Sequence, residues 1–273
     1  MNLRGSVDLR LKRSIVAHPM VQTTVGGIEG RFSGRSALVV GGSNGLGRAV
    51  AVALAREGAR VLAVGRDTDA LAKVRAIASA RGLTVSTMRA DSRKRDRVRD
   101  VVRRAAKTVG GPDLLVHAVG DYWEGPLSRL TEDRWDAMLS SNLTSALYAI
   151  QETLPGMRKR RYGRILLFGV AGGDHPRAAP RAHAYRAAKV ALLTLARSVA
   201  YEEAENGITV NMILPGIIRT GRTGPRFDAL ARRIPARRLG TPQEVARAAL
   251  FLLAHDSGYI TGSALHVAGG LLL

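Results

Sequence analysis

Apolar residues recur along this chain in two rhythms. Short continuous runs at residues 37–40, 60–64, 83–89, 113–118, 165–168, 208–213 and 264–267 have the length of buried strands. Between them, at 49–55, 68–81, 93–108, 184–204 and 241–254, apolar positions return every three or four residues, as on a helix with one buried face. Gly58 stops the first helix and Asp67 stands at the N-cap of the second. Thr241-Pro242-Gln243-Glu244 opens the last, with a cap hydroxyl, proline at the first position and a glutamate that returns to the cap. Strands that alternate with helices make a parallel sheet covered on both sides, so the pattern predicts an α/β protein. The expectation is one Rossmann-like domain over residues 32–273, a doubly wound parallel sheet with its ligand crevice at the carboxyl ends of the strands. Residues 1–31 lack such periodicity and read as a flexible N-terminal extension. Within it Ile28-Glu29-Gly30-Arg31 spells a protease recognition tetrapeptide, so part of the extension reads as a tag or a misassigned start.

The first strand-to-helix turn carries the earliest candidate chemistry. Gly41-Gly42-Ser43-Asn44-Gly45-Leu46-Gly47 links residue 40 to the first helix, and Gly41, Gly45 and Gly47 are read as places where a side chain would keep a phosphate from the backbone amides. A dinucleotide pyrophosphate suits such a turn, with Ser43, Asn44 and Leu46 as further contacts; a glycine-rich turn kept for packing alone is the bland alternative. The second strand ends in Gly65-Arg66-Asp67. An acidic residue there would bind the ribose 2′-hydroxyl of NAD, whereas a basic one accommodates a 2′-phosphate, so Gly65 and Arg66 favour NADP. Asp91, after the third strand, reads either as a partner for the adenine amino group or as another helix cap.

Composition narrows this picture. The chain of 273 residues has no cysteine, which excludes disulfides, thiolate metal sites and cysteine nucleophiles; redox chemistry would have to come from a cofactor, and no metal site is expected. With no run of 18 apolar residues and no secretion signal, the expectation is a cytoplasmic protein without membrane contact. A net charge of +20 raises nucleic acid as a partner. The basic segments, 93–107, 158–164 and 219–238, lack interleaved aromatics and any DNA-reading motif, so they read as solvated faces and no specific nucleic acid is expected.

Later motifs complete a resemblance. Tyr185-Arg186-Ala187-Ala188-Lys189 places two polar side chains four apart, on one helical face. With Gly41-x3-Gly45-x-Gly47, Asp91, Asn142, the Tyr185/Lys189 pair, Pro215-Gly216 and Thr220 in this order, the chain from about residue 32 onwards resembles the short-chain dehydrogenase/reductases, most of all the 3-oxoacyl-carrier-protein reductases. The resemblance implies that Tyr185 exchanges a proton with the substrate. Lys189 would lower the tyrosine pKa and bind the nicotinamide ribose, Asn142 would hold a water that relays protons, and Pro215 and Gly216 would lie against the nicotinamide. It also implies a homodimer or homotetramer packed through the helices of Asn142 and Tyr185; the apolar residues 271–273 by their own character read as buried at a subunit contact.

Two departures stand beside these matches. The family's serine, about thirteen residues before the tyrosine, is absent: residues 168–184 contain no serine or threonine, and Gly169 or Gly172 takes its place. Loss of one oxyanion donor typically costs about 2.7–4 kcal/mol. His175, His183 or Tyr185 alone could compensate; Tyr185 with backbone amides of the turn is the reading preferred. The family's Asn-Asn-Ala-Gly is here His117-Ala118-Val119-Gly120, which puts the strand-to-strand support of the site in doubt. Residues 217–240, where this family builds a substrate lid, hold seven arginines and one acidic residue, which suits a phosphopantetheine, coenzyme A or acidic carrier. The reading is an NADP(H)-dependent oxidoreductase of a small-molecule or carrier-bound ketone, with a catalytically weak NADP-binding sensor or scaffold as the alternative.

Overall fold

The computed structural model describes residues 30–175, 177–220 and 229–272. Residues 1–29 of the extension expected over 1–31, and residues 221–228 of the arginine-rich lid, therefore lie outside the described residues. Seven strands, β1 (Ser36–Val40), β2 (Arg60–Gly65), β3 (Val85–Arg89), β4 (Leu114–His117), β5 (Gly163–Phe168), β6 (Ile208–Pro215) and β7 (Ala264–Val267), form one sheet in the order β3-β2-β1-β4-β5-β6-β7. Every pairing is parallel. The order reverses between β1 and β4, and a doubly wound sheet opens its ligand crevice at such a point.

Alternation along the strands sorts the core. Leu38 and Val40 of β1, Leu115 of β4, and Ile165 and Leu167 of β5 face one layer, which is closed by α3 (Arg95–Thr108), α5 (Ser145–Arg160) and α6 (His183–Glu203). Ala37, Val39, Leu114, Val116, Leu166 and Phe168 face the other, closed by α1 (Gly45–Arg56), α2 (Thr68–Ser79) and α7 (Pro242–Leu253). A side-chain period of two in the strands thus feeds two separate cores. Asp67 caps α2, its carboxylate accepting from the amides of Asp69 and Ala70, and Thr241 with Glu244 forms the reciprocal capping box of α7.

Differences from the sequence pattern are local. The helix read from residue 93 begins at Arg95, because Asp91 and Arg93 are drawn into a turn ahead of it. α4 (Glu132–Leu139) and α5 are not announced by the pattern; a π-helical turn, Ser140–Thr144, joins them and breaks the 3.6-residue period between them. No described helix is long and apolar enough to cross a membrane.

Candidate active site

The carboxyl ends of β1, β2, β4, β5 and β6 surround a cavity of about 840 Å³. Gly41, Ser43, Asn44, Gly45 and Leu46 of the turn line it, as do Arg66, Asp91, Asn142, Tyr185, Lys189, Pro215 and Thr220. Residues far apart in the sequence are thereby brought to one wall. Gly47 and Gly216 are not: each is packed just behind it.

The glycines of the turn divide their work. A Cβ on Gly41 would lie 2.6 Å from the Ala118 backbone, and one on Gly47 2.2 Å from the Gly41 carbonyl oxygen, so these two allow the turn to close on β4 and α1 to pack against it. Only Gly45 opens outward, at φ +52° with nothing nearer than 3.7 Å. The expectation that all three glycines serve one purpose is thus corrected: Gly41 and Gly47 permit chain packing, and Gly45 alone faces outward. No side chain caps α1, which leaves its first amides open to a ligand or water. A groove with free amides at a helix N-terminus, a glycine facing it and Arg66 at its far end fits a dinucleotide. Gly41 to Leu46 would hold the pyrophosphate of such a cofactor, Asp91 and Arg66 its adenosine end, and Lys189 and Pro215 its nicotinamide end.

Polar residues at the adenosine end are already paired. Arg66 donates to Asp121 Oδ1 at 3.0 Å, linking the end of β2 to the loop after β4. Asp91 accepts from the Arg93 amide at 3.1 Å and from its guanidinium at 2.6 Å, and the Arg93 side-chain hydrogen bond, ahead of the opposing effect of burial, holds this carboxyl below its ordinary range. Asp91 therefore shapes the turn before α3 but is not its N-cap, which is Lys94. Arg93 and Asp121 both line the cavity, and the sequence pattern marks neither as a site residue. The adjacency of Arg93 to Asp91 was a usable signal; Asp121 and Arg66, 55 residues apart, left none.

At the other end Tyr185 and Lys189 share one face of α6, which has Ala184, Ala188 and Leu192 buried beneath it. Lys189 is 5% exposed and donates to the Phe168 carbonyl at 2.8 Å. Burial pulls its pKa down to about 8. Tyr185 is pushed up to about 12, chiefly by burial, and the counter-pull comes from Arg186. Lys189 Nζ stands 5.9 Å from the Tyr185 ring centroid. The expected lowering of the tyrosine by Lys189 is therefore corrected: desolvation wins, because the ammonium is turned to the Phe168 carbonyl. The Tyr185 hydroxyl therefore keeps its proton at neutral pH. Tyr122 meets its ring edge-on, with centroids 5.0 Å apart.

The π-turn presents Asn142, whose Nδ2 donates to the carbonyls of Asp121 at 2.9 Å and Met138 at 3.1 Å. Asn142 Oδ1 is buried and has no hydrogen-bond partner among the described residues. A Cβ on Gly120 would lie 2.5 Å from that oxygen and 3.3 Å from Lys189 Nζ, so the glycine makes room for the two to face one small space. An unsatisfied acceptor beside a buried ammonium is a seat for water.

Of the two glycines considered for the serine position, Gly169 lines the cavity. Gly172 is taken up by Arg186, which donates to its carbonyl and to that of Ala171, and by the Arg177 guanidinium against its Cα. His175 is 84% exposed and stands 3.8 Å from Asp174, and neither it nor His183 lines the cavity. Neither histidine is placed to replace the serine. Among the described residues no three His, Cys, Asp or Glu side chains gather as a metal site.

Comparison with known proteins agrees with this architecture. A family model described as enoyl-(acyl carrier protein) reductase matches residues 40–272. The 3-oxoacyl-(acyl-carrier-protein) reductase of Escherichia coli is 33% identical over 246 residues, covering 89% of this chain and 99% of its own length. Nodulation protein G of a Rhizobium species is 34% identical over 250 residues, covering 89% and 98%. Among solved structures, a variant of the actinorhodin polyketide ketoreductase with NADPH superposes with a TM-score of 0.83 at 27% identity, covering 89% of this chain and 98% of that one. With this sheet order, this cavity and a family match over most of its length, the chain belongs to the short-chain dehydrogenase/reductase family.

Proposed function

We propose that this oxidoreductase is an NADP(H)-dependent reductase of ketones, with 3-oxoacyl thioesters or related polyketide-like ketones as its substrate class. The observation that carries the reading is the convergence of Tyr185, Lys189 and Asn142 with the glycine turn on one cavity. A bound NADPH would supply hydride to the carbonyl carbon. The chain's own part is to place and protonate. Tyr185, kept protonated by burial, donates its hydroxyl proton to the carbonyl oxygen. Lys189 holds positive charge beside the tyrosine below about pH 8 and binds ribose hydroxyls, and a water on Asn142 Oδ1 returns the proton. Arg66 is the reason for preferring NADP. The names of the similar proteins, carrier-protein and polyketide reductases, support the substrate class. The arginines of the lid suit the phosphate of a carrier arm. Assembly as a homodimer or homotetramer through α5 and α6 belongs to the same reading, and sedimentation velocity measures it.

The test is Tyr185→Phe. A reductase loses at least about 10²-fold in kcat with ketone and NADPH, while NADPH binding, followed by fluorescence, stays within about twofold of the parent. If the parent binds NADPH but reduces no member of a panel of 3-oxoacyl thioesters, quinones and simple ketones, the reductase reading falls and a nucleotide-binding sensor takes its place.

A further inference from the structure

His117 is a buried titratable residue to which the reductase reading gives no task. It ends β4 and is 1% exposed. Its Nε2 lies 2.9 Å from Ser145 Oγ. Ser145 has one hydroxyl proton, which it donates to the Ser141 carbonyl at 2.7 Å. The imidazole and the Ser145 hydroxyl thus share one hydrogen bond, at a hydroxyl that also reaches the Ser141 carbonyl.

Ser141 and Ser145 bracket Asn142 in the π-turn. Such a turn interrupts the regular helix ladder, and its carbonyls need other partners. On the α4 side, Ser141 Oγ donates to the Ala137 carbonyl at 2.7 Å and Asn142 Nδ2 to that of Met138. On the α5 side the Ser145 hydroxyl closes the turn, and His117 holds that hydroxyl. Burial and the nearby Lys189 charge push the imidazole down to about 3, so it stays neutral and adds no second cation beside the ammonium.

We propose that His117 is a positioning residue: through Ser145 it clamps the π-turn so that Asn142 Oδ1 faces Lys189 over Gly120. Its kinetic consequence rests on the reductase reading, whereas its structural consequence does not. The clamp also explains how a strand end that departs from the family's asparagine still supports the site.

The experiment compares His117→Leu, His117→Gln and Ser145→Ala with the parent protein. Three quantities are read: kcat and KM for ketone reduction, NADPH affinity by fluorescence, and amide hydrogen exchange across residues 138–146. Loss of the imidazole partner in His117→Leu should lower kcat by about tenfold and speed exchange in the turn, with NADPH affinity within about twofold. In His117→Gln the side-chain amide has a similar reach and should restore both kcat and protection. Ser145→Ala should match His117→Leu, and the double variant should add no further loss. Unchanged kcat and unchanged protection in His117→Leu would overturn the proposal, as would a folded His117→Gln that restores neither. If the parent reduces no ketone, the reductase reading fails by itself, and hydrogen exchange alone then decides the clamp. If His117→Leu does not fold, Ser145→Ala, which removes a single hydroxyl, decides it in the same way.

Discussion

Lys189 and His117 are both buried bases near one cavity, and burial lowers the pKa of each but leaves them in opposite charge states at neutral pH. Lys189 is kept close to its titration point, at about 8, although water would leave it near 10.5. Below about pH 8 the ammonium is charged in folded and unfolded chains alike, and folding strips its water while returning a hydrogen bond to the Phe168 carbonyl. Lys189→Met should therefore stabilise the cofactor-free protein by about 1–2 kcal/mol while abolishing turnover; denaturant titration and an NADPH assay check the two halves. Turnover of the parent should fall as pH rises through about 8, where the charge is lost. His117, shifted in the same direction, is left neutral: its folded pKa, about 3, lies below the 6.5 of a free imidazole. Between these values the unfolded chain binds a proton that the folded chain refuses. Its contribution is thus fully present above 6.5 and is lost as pH falls, with a slope of up to about 1.4 kcal/mol per pH unit. Urea midpoints measured from pH 7 to pH 4 should show this loss, and His117→Gln should flatten it.

At the scale of elements, the turn between β1 and α1 separates two kinds of glycine. Gly47→Ala would press a methyl group onto the Gly41 carbonyl oxygen, 2.2 Å away, where backbone has to move. It should cost about 3 kcal/mol or more of stability. Gly45→Ala meets only the Thr220 methyl group, at an ordinary contact distance of 3.7 Å, and its φ of +52° costs about 1 kcal/mol. Its methyl group points to where a phosphate would approach, so NADPH affinity should drop at least about tenfold in a folded protein. Thermal melts and fluorescence titration of both variants separate the effects. A weak NADPH response to Gly45→Ala would show that the turn is kept for packing. The elements themselves were largely legible: the seven strands fall within two residues of the runs that announce them, β3 beginning two later, β5 two earlier and β6 ending two later, and α6 carries Tyr185 and Lys189 on one face as their spacing requires. The π-turn was not, because five residues with a local change of pitch leave no period to detect.

Across the whole molecule the cavity is spanned by a charge pair. Arg66 on β2 and Asp121 after β4 meet at 3.0 Å with side chains 52% and 37% exposed, so the bond is worth little in water. A 2′-phosphate would compete with Asp121 for the guanidinium. Asp121→Asn should therefore tighten NADPH by about threefold or more and leave NADH nearly unchanged, and Arg66→Ala should weaken NADPH alone; dissociation constants for both nucleotides at one salt concentration check this. Equal effects on the two nucleotides would remove Arg66 from the phosphate seat. The net charge of +20 acts over a longer range, and any attraction it exerts on acidic partners is screened by salt.

By itself the sequence determined the layers and the chemistry that could be offered. Alternation in Leu38–Val40 and Ile165–Phe168 divides the two cores, Asp67 and Thr241 cap their helices, and Tyr185 and Lys189 share a face, because each depends on neighbours a few residues away. Tertiary structure decided whatever depends on distant partners. It took Gly47 and Gly216 behind the wall, turned Lys189 to the Phe168 carbonyl, tied Asp91 to Arg93 and Arg66 to Asp121, and buried His117 against Ser145. Desolvation and pairing set the charge of such groups, and both are properties of the assembled fold rather than of any local stretch of chain.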